Sequence, residues 1–273
     1  MNKNFLLVLG LAIAITAGLY SLPKVVVNSK DKELKQPEMA SNQGKVQEQT
    51  SHQATIPAKK QALIDRFRKQ LDSAKDKSEK LKAAEQLLKV FVEASKFDSA
   101  AHYAELMAGL EPNERSFVRT GDAYYGAFQF ALEPQKAELM GENARKFYKK
   151  ALDLNPNLLE AKTNMAMTYV STPTPMQGIL LLREVLDESP DFEPALFNLG
   201  VLSMQSKQFD KAIVRFKKIL EKSPKNTKAQ FYLGVSLAET GKKEEAKTLL
   251  KNVQVVEKDP AIQAAITETL EKL

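Results

Sequence analysis

The fold is decided by a helix ending that occurs three times in the chain: ALDLNP at residues 151–156, VLDESP at 185–190 and ILEKSP at 219–224. Each ending combines apolar residues with a final proline, and the three prolines are 34 residues apart. A proline lacks the backbone donor and disfavours the helical conformation of the residue before it, so each motif predicts the end of a helix. A constant interval of this length, which we call the repeat period, is typical of proteins built from stacked structural repeats.

The same period relates other parts of the sequence. The pair Leu-Gly occurs at 199–200 and again at 233–234, and the segments KQFDKA (207–212) and GKKEEA (241–246) are also one repeat period apart. Small residues recur in both helices that each unit is expected to contain. We expect them to lie where the two helices cross, because small side chains let backbones approach closely. The expected pairs are Gly121 with Ala144, Ala166 with Gly178, Gly200 with Ala212 and Gly234 with Ala246.

This pattern resembles that of the tetratricopeptide repeat (TPR) family, whose unit has the same period and the signature W-x2-L-G-x2-Y…A-x3-F…P. The resemblance implies an all-α fold, a right-handed solenoid of stacked helix-turn-helix units. The implied units are 81–114, 115–158, 159–192, 193–226 and 227–260, preceded by a helix at 59–80 and followed by a capping helix at 261–273.

Two units depart from the regular pattern. The second is longer than the others, and we expect its turn near Glu133 and Pro134. The third has Thr-Pro-Thr-Pro at 172–175 between its two helices. There Thr174 is expected to cap the second helix. Pro175 fits the first turn of this helix, because the backbone N–H that proline lacks would have no hydrogen-bond partner within the helix at that position.

The N-terminal region predicts a membrane anchor. After a flank at 1–4, the segment FLLVLGLAIAITAGLYSLP at 5–23 contains no charged residue. As a helix it is roughly 28 Å long, close to the hydrocarbon thickness of about 30 Å in a bilayer. The sequence therefore favours a single transmembrane helix, an uncleaved signal anchor. The alternative is a cleaved signal peptide, with Ala12-Ile13-Ala14 as an exit site, which leaves a soluble periplasmic protein.

Residues 24–58 predict a flexible linker between this segment and the repeats. They are rich in Gln, Lys, Glu and Ser and bury too little apolar surface to offset the entropy of ordering. Lys3 precedes the apolar segment, and lysines mixed with acidic residues follow it. This arrangement resembles an export signal, so the repeat domain is expected on the periplasmic side of the inner membrane as part of a single-pass protein.

Composition excludes most kinds of active site. The 273 residues contain no Cys and only two His, His52 and His102, so thiol nucleophiles, disulfides and thiolate metal sites are ruled out, and no metal is expected. There is no phosphate-binding glycine loop, no H-E-x-x-H and no G-x-S-x-G, so we expect neither an enzyme nor a cofactor. The net charge is +6, but the arginines are scattered, which does not indicate nucleic-acid binding.

The TPR resemblance implies a concave groove lined by the first helices of successive units. Counted along the aligned units, the groove changes from charged residues in the early units to apolar and aromatic ones in the late units. Aromatic residues and Met are typical of protein-binding surfaces. The residues predicted to bind a protein or peptide partner are Tyr125, Met167, Phe197, Val201, Met204, Phe231 and Val235.

The predicted function is that of a membrane-tethered adaptor or scaffold in envelope complex assembly or secretion. The alternatives are a chaperone-like holdase for unfolded clients and a released periplasmic TPR protein. The sequence identifies neither the partner nor the oligomeric state.

Overall fold

The computed structural model describes residues 56–172 and 174–273. Within these ranges the chain forms twelve α-helices and no strand. The predicted membrane segment (5–23) and nearly all of the predicted linker (24–58) lie outside the described residues. None of the twelve helices combines the length and the apolar character needed to cross a bilayer. The helices are α1 Ala58–Ser73, α2 Lys77–Glu93, α3 Phe97–Leu110, α4 Glu114–Gln129, α5 Pro134–Leu154, α6 Leu159–Val170, α7 Pro175–Glu188, α8 Glu193–Gln205, α9 Phe209–Lys222, α10 Thr227–Glu239, α11 Lys243–Val256 and α12 Pro260–Glu271.

Helices α2 to α11 form five consecutive pairs joined by short turns, and each helix packs against the next along the chain. The first helices of the pairs also contact one another, α4 with α6, α6 with α8 and α8 with α10. Among the described helices, packing therefore joins each pair to its neighbours in sequence, which is the arrangement of a solenoid. The first helices lie side by side and together form one surface.

One core position recurs with the sequence period. Tyr148, Leu182, Phe216 and Leu250 are each separated by one repeat period, lie on the second helices α5, α7, α9 and α11, and are all fully buried. Because the helix pairs have similar geometry, the same position in each of them packs against the first helix. The repeat period of the sequence is therefore also the interval between equivalent buried residues of the core.

The predicted close crossing is observed at Ala166 and Gly178. A Cβ atom on Gly178 would lie 2.3 Å from the backbone oxygen of Ala166, so only glycine fits. At the other three expected pairs, the atoms nearest to a Cβ on the glycine belong to a large side chain of the second helix rather than to the expected alanine. Those contacts are Gly121 with Tyr148, Gly200 with Phe216 and Gly234 with Leu250.

Side-chain caps fix the start of several helices. The Asp76 carboxylate accepts a hydrogen bond of 2.8 Å from the Glu79 N–H, so α2 begins at Lys77 rather than at the unit boundary expected at residue 81. Asn113 and Ser116 form a capping box at α4, and Asn226 caps α10. These caps satisfy N–H groups that have no partner within the helix.

The turn of the third pair differs from the expectation in one respect. Pro175 occupies the first turn of α7, as predicted, but the Thr174 side chain makes no capping hydrogen bond. Its hydroxyl lies 3.1 Å from the Thr172 hydroxyl, which also accepts a hydrogen bond from the Thr174 N–H. The two threonines therefore bond within the turn instead of at the helix terminus.

The second pair is the longest, as its sequence predicts. Helix α4 has 16 residues and α5 has 21, whereas α6 has 12 and α7 has 14. The turn lies where it was expected, since α5 begins at Pro134. The extra residues lengthen both helices at the end where they are joined.

Candidate protein-binding groove

The surface formed by α4, α6, α8 and α10 presents side chains at equivalent positions. Met167, Val201 and Val235 follow one another at the repeat period and are half-buried, each on a different first helix. Tyr125 and Met204, near the C-terminal ends of α4 and α8, are also half-buried. The first helices therefore present a row of partly exposed apolar side chains, which we call the groove.

Phe197 is held at this surface by two aromatic rings. Its ring packs edge-to-face against Tyr232, with centroids 5.4 Å apart, and against Phe216 at 5.9 Å. Phe216 and Tyr232 in turn stack on each other. Edge-to-face and stacked pairs of this kind add stability beyond the buried area, so Phe197 is a rigid part of the groove wall.

The structure corrects the prediction for Phe231. This residue was expected to line the groove, but it is only 9% exposed. It belongs to a buried cluster with Leu250, Val253 and Ile266, and Val235 packs against the same cluster. The physical reason is α12, which packs against α10 and α11 at the end of the stack and covers Phe231.

A polar cluster joins the second and third pairs beside the groove. Asp122 Oδ1 accepts a hydrogen bond of 2.7 Å from the Tyr148 hydroxyl and one of 3.3 Å from Asn164 Nδ2. Burial and the Asp122 charge raise the pKa of Tyr148, and burial and the Glu105 carboxylate raise the pKa of Tyr124. Both phenols therefore stay protonated at neutral pH, which suits a structural role rather than acid–base chemistry.

The early part of the groove is charged, as the sequence predicts. Glu85 on α2 forms ion pairs with Arg119 on α4 and with Lys89. The hydrogen bond from Arg119 lowers the pKa of Glu85 and outweighs the opposing effect of burial. Glu85 therefore stays ionised at neutral pH and links the first two pairs.

Sequence reasoning missed one residue of this surface. Tyr232 lies directly after Phe231, one repeat period beyond Asn198 and two beyond Asn164. This shared position faces the same side of the first helices, where Asn164 bonds Asp122 and Tyr232 packs on Phe197. Following the repeat position rather than residue type would have found it.

The described residues offer little for chemistry at this surface. In residues 56–172 and 174–273, no group of three or more His, Cys, Asp or Glu side chains is arranged to hold a metal ion. The later part of the groove presents aromatic and aliphatic side chains, and the early part presents the ion-paired Glu85 and Arg119. Such a surface can bind another protein by apolar contact and hydrogen bonds.

Comparison with known proteins supports the resemblance seen in the sequence. Residues 204–268 match the sequence profile of the tetratricopeptide repeat family. No curated protein sequence matches the chain. The fold is similar to that of PilW, a widely conserved type IV pilus biogenesis factor, with a TM-score of 0.56 and 15% identity over 76% of this chain and 90% of that one.

Two other solved structures are similar to the chain. A thermophilic TPR protein of Thermus thermophilus has a TM-score of 0.50 and 17% identity, covering 65% of this chain and 90% of its own. The protein MamA has a TM-score of 0.48 and 18% identity, covering 64% of this chain and 91% of its own.

The predicted all-α TPR solenoid is therefore confirmed as the fold of the described residues. Solenoids of this class have extended concave surfaces and typically act as protein-interaction modules rather than as enzymes.

Proposed function

We propose that this protein is a membrane-tethered, non-enzymatic adaptor whose groove holds a segment of a partner protein. The observation that carries the proposal is the row of half-buried apolar side chains on α4, α6 and α8, with Phe197 fixed by Phe216 and Tyr232. Rigid aromatic and flexible Met side chains on one surface are the usual material of a protein-binding site.

The chain itself provides an example of a helix that packs on a first helix of the stack. Ile262 and Ile266 lie on one face of α12 and pack with Phe231 and Val235 of α10. An amphipathic helix is thus the kind of segment that the first helices of this solenoid accommodate. We infer that the partner presents a helix with apolar residues at spacings of three and four to the equivalent side chains of α6 and α8.

The membrane part of the proposal rests on the apolar segment at 5–23 and the polar linker at 24–58. A tether confines the repeats near other membrane components and raises the effective concentration of a partner there, to about the millimolar range for a short flexible link. A modest affinity in the groove is then enough for assembly of an envelope complex. The repeats lie on the periplasmic side in this proposal.

Site-specific photo-crosslinking tests the groove. A photoreactive amino acid is placed at Met204 in the groove or, as a matched control, at Val214, which is 67% exposed on the second helix α9. The full chain is irradiated in intact membranes. We expect one dominant crosslinked protein from position 204 and none in common with position 214. Equal products from both positions contradict the proposal, and many products from position 204 favour a holdase.

Fractionation tests the tether. We expect the full chain to remain with membranes after a carbonate wash, at the mass of the uncleaved sequence. A soluble product whose mass lacks the N-terminal segment identifies the released periplasmic form instead.

A further inference from the structure

The net charge of the chain is concentrated at the first end of the described residues. Residues 56–82 contain nine Lys and Arg against four Asp and Glu, a net charge of +5, whereas the remaining described residues contain 25 against 26. The whole chain carries +6. All of the nine cations except Lys60 are exposed. The positive charge therefore belongs to α1 and the start of α2 and is not spread over the solenoid.

Helix α1 turns much of this charge outward. Its apolar residues, among them Ile64 and Phe67, pack against α2. Arg66 and Lys69 lie on the opposite side, which no other described helix covers, and both are exposed. Between residues 56 and 91 no large apolar side chain is exposed. The outer side of α1 is thus a polar surface with basic side chains.

Two shallow clefts show that α1 and α2 share this surface. A cleft of about 570 Å³ is lined by Arg66 and Lys69 of α1, and one of about 360 Å³ is lined by Lys82 of α2. Gln70 and Ser73 line both clefts, so the two are continuous. We call the surface formed by these five residues the α1 face.

The cations of the α1 face have no partner in the chain. Asp65 and Glu79 also line the clefts, but their carboxylates accept hydrogen bonds of 2.9 Å from the Gln61 amide and 2.8 Å from the Lys75 backbone N–H. In the part of the chain that the structure describes, the three basic side chains of the face form no ion pair and no hydrogen bond. They are therefore available to an anion from outside the chain.

The connectivity of the chain favours a lipid surface as the source of that anion. The linker at 24–58 leads from the apolar segment at 5–23 to α1. The proposed function places this segment in a membrane, so the inference made here rests on that tether. A coil of about 30 residues spans roughly 30 Å root-mean-square. The α1 face is then held within reach of the headgroups, and each Lys or Arg near an anionic bilayer adds to the attraction.

The side chains of the face also argue against other anionic partners. Single-stranded nucleic acid is bound largely by stacking of its bases on aromatic rings. Residues 56–91 expose no aromatic side chain. The same lack of exposed apolar residues means that α1 adsorbs to headgroups and does not insert among acyl chains.

We propose that the α1 face binds the anionic headgroups of the membrane to which the chain is tethered. Arg66, Lys69 and Lys82 pair with the headgroup phosphates, and the interaction is electrostatic and sensitive to salt. The first end of the stack then lies on the bilayer, and the groove on α6 and α8 stays free for a partner.

Fluorescence quenching tests this contact in the full chain. Because the chain has no Cys, a fluorophore attached through Ala62→Cys in α1 or, as a control, Val214→Cys in α9 has a single site. Each protein is reconstituted into phosphatidylcholine vesicles that contain a headgroup-linked quencher, with or without phosphatidylglycerol. We expect phosphatidylglycerol to raise quenching at position 62 about threefold or more and to leave position 214 unchanged. About 0.5 M salt should abolish the increase.

Matched charge variants locate the contact. The double variant Arg66→Gln, Lys69→Gln is expected to lose the increase that phosphatidylglycerol causes at position 62. The control double variant Lys217→Gln, Lys251→Gln removes the same charge from exposed residues of α9 and α11 and should retain it. Circular dichroism melts confirm that each variant is folded. Equal loss in both double variants, or equal quenching at position 62 with and without phosphatidylglycerol, overturns the proposal.

Vesicle flotation separates this proposal from the tether. A chain that floats with both kinds of vesicle but shows no increase in quenching keeps the tether and refutes the α1 face. A chain that floats only with phosphatidylglycerol, and only with Arg66 and Lys69 intact, keeps the face and refutes the tether. Flotation with neither refutes both. A photoreactive amino acid at Ala62 should give lipid adducts in intact membranes; one dominant crosslinked protein identifies an acidic protein as the occupant and overturns the proposal.

Discussion

Gly200 and Phe216 pack so closely that the glycine has no room for a side chain: a Cβ atom on Gly200 would lie 2.7 Å from the Phe216 ring. The contact joins the two helices of the fourth pair at its centre. Phe216 is also the ring on which Phe197 and Tyr232 pack. One close contact thus supports both the core of the pair and the aromatic wall of the groove.

Substitution of this glycine should therefore destabilise the fold. Gly200→Leu is expected to lower the free energy of unfolding by about 1–3 kcal/mol, because Phe216 is forced out of its position. The control is Gly126→Leu in α4, where a Cβ atom would meet nothing within 4 Å. Urea unfolding followed by circular dichroism measures both. If the two variants unfold alike, the predicted packing at Gly200 is wrong.

Ile266 should determine whether α12 stays attached. It is the only fully buried side chain of this helix. Ile266→Ala is expected to cost about 2–5 kcal/mol of local stability, since a large apolar side chain is removed from a packed cluster. Hydrogen exchange of the amides in 260–271 should accelerate much more than in α4. The control variant Ala264→Ser, at an exposed residue of α12, should leave the exchange rates unchanged. If both variants accelerate exchange equally, Ile266 is not the residue that holds α12 against the last pair.

Substitutions at Phe231 and Met204 should distinguish an effect on the stability of the fold from an effect on partner binding. Phe231→Ala is expected to lower the free energy of unfolding by about 3–5 kcal/mol, because the ring is buried under α12. Met204→Ser should change unfolding little but reduce partner capture in the crosslinking or pull-down experiment. The reverse pattern would mean that Met204 is part of the core and Phe231 part of the binding surface.

The ion pair of Glu85 with Arg119 predicts a small dependence of stability on pH. The pKa of Glu85 is lowered in the folded chain, so its stabilising effect is present above the pKa of the unfolded carboxyl and is lost as the pH falls through the folded value. Since the pair is partly exposed, the effect should be below about 1 kcal/mol.

Comparison with Glu85→Gln measures this effect. The difference in unfolding free energy between the native chain and the variant should be largest at neutral pH and vanish in acid. Glu245→Gln, at an exposed residue of α11, is the control and should give no such difference. A difference that grows in acid would refute the assignment.

The sequence predicted the solenoid because repeated local signals specify it. Pro190 and Pro224 end helices, Gly178 and Gly200 mark close contacts, and the same kinds of signal recur in successive units. The partner of each glycine was harder to predict, since Phe216 reaches Gly200 only after the helices have packed. Local sequence patterns predict where the helices begin and end, whereas the contact between Gly200 and Phe216 depends on how the helices pack in the tertiary structure.

The candidate site was predicted only in part for a similar reason. Met167, Val201 and Met204, which the repeat position assigned to the groove, are half-buried on the first helices, and their role in binding stays a prediction. The repeat position did not show that α12 buries Phe231, because the sequence of α12 no longer follows the repeat pattern and its packing could not be aligned with that of the other units. The exposure of Leu132, in the turn between α4 and α5, could not be predicted either, since it depends on how far these two helices extend.

Helix α12 has a consequence for how copies of this chain behave in a crowded compartment. Each internal pair offers its successor an apolar face, and without α12 the last pair would offer the same face to the start of another molecule. Such head-to-tail contacts do not close on themselves and lead to open filaments. Helix α12 covers that face with Ile262 and Ile266, and its exposed face carries Glu268 and Glu271, so a second copy would meet charged side chains there rather than an apolar surface.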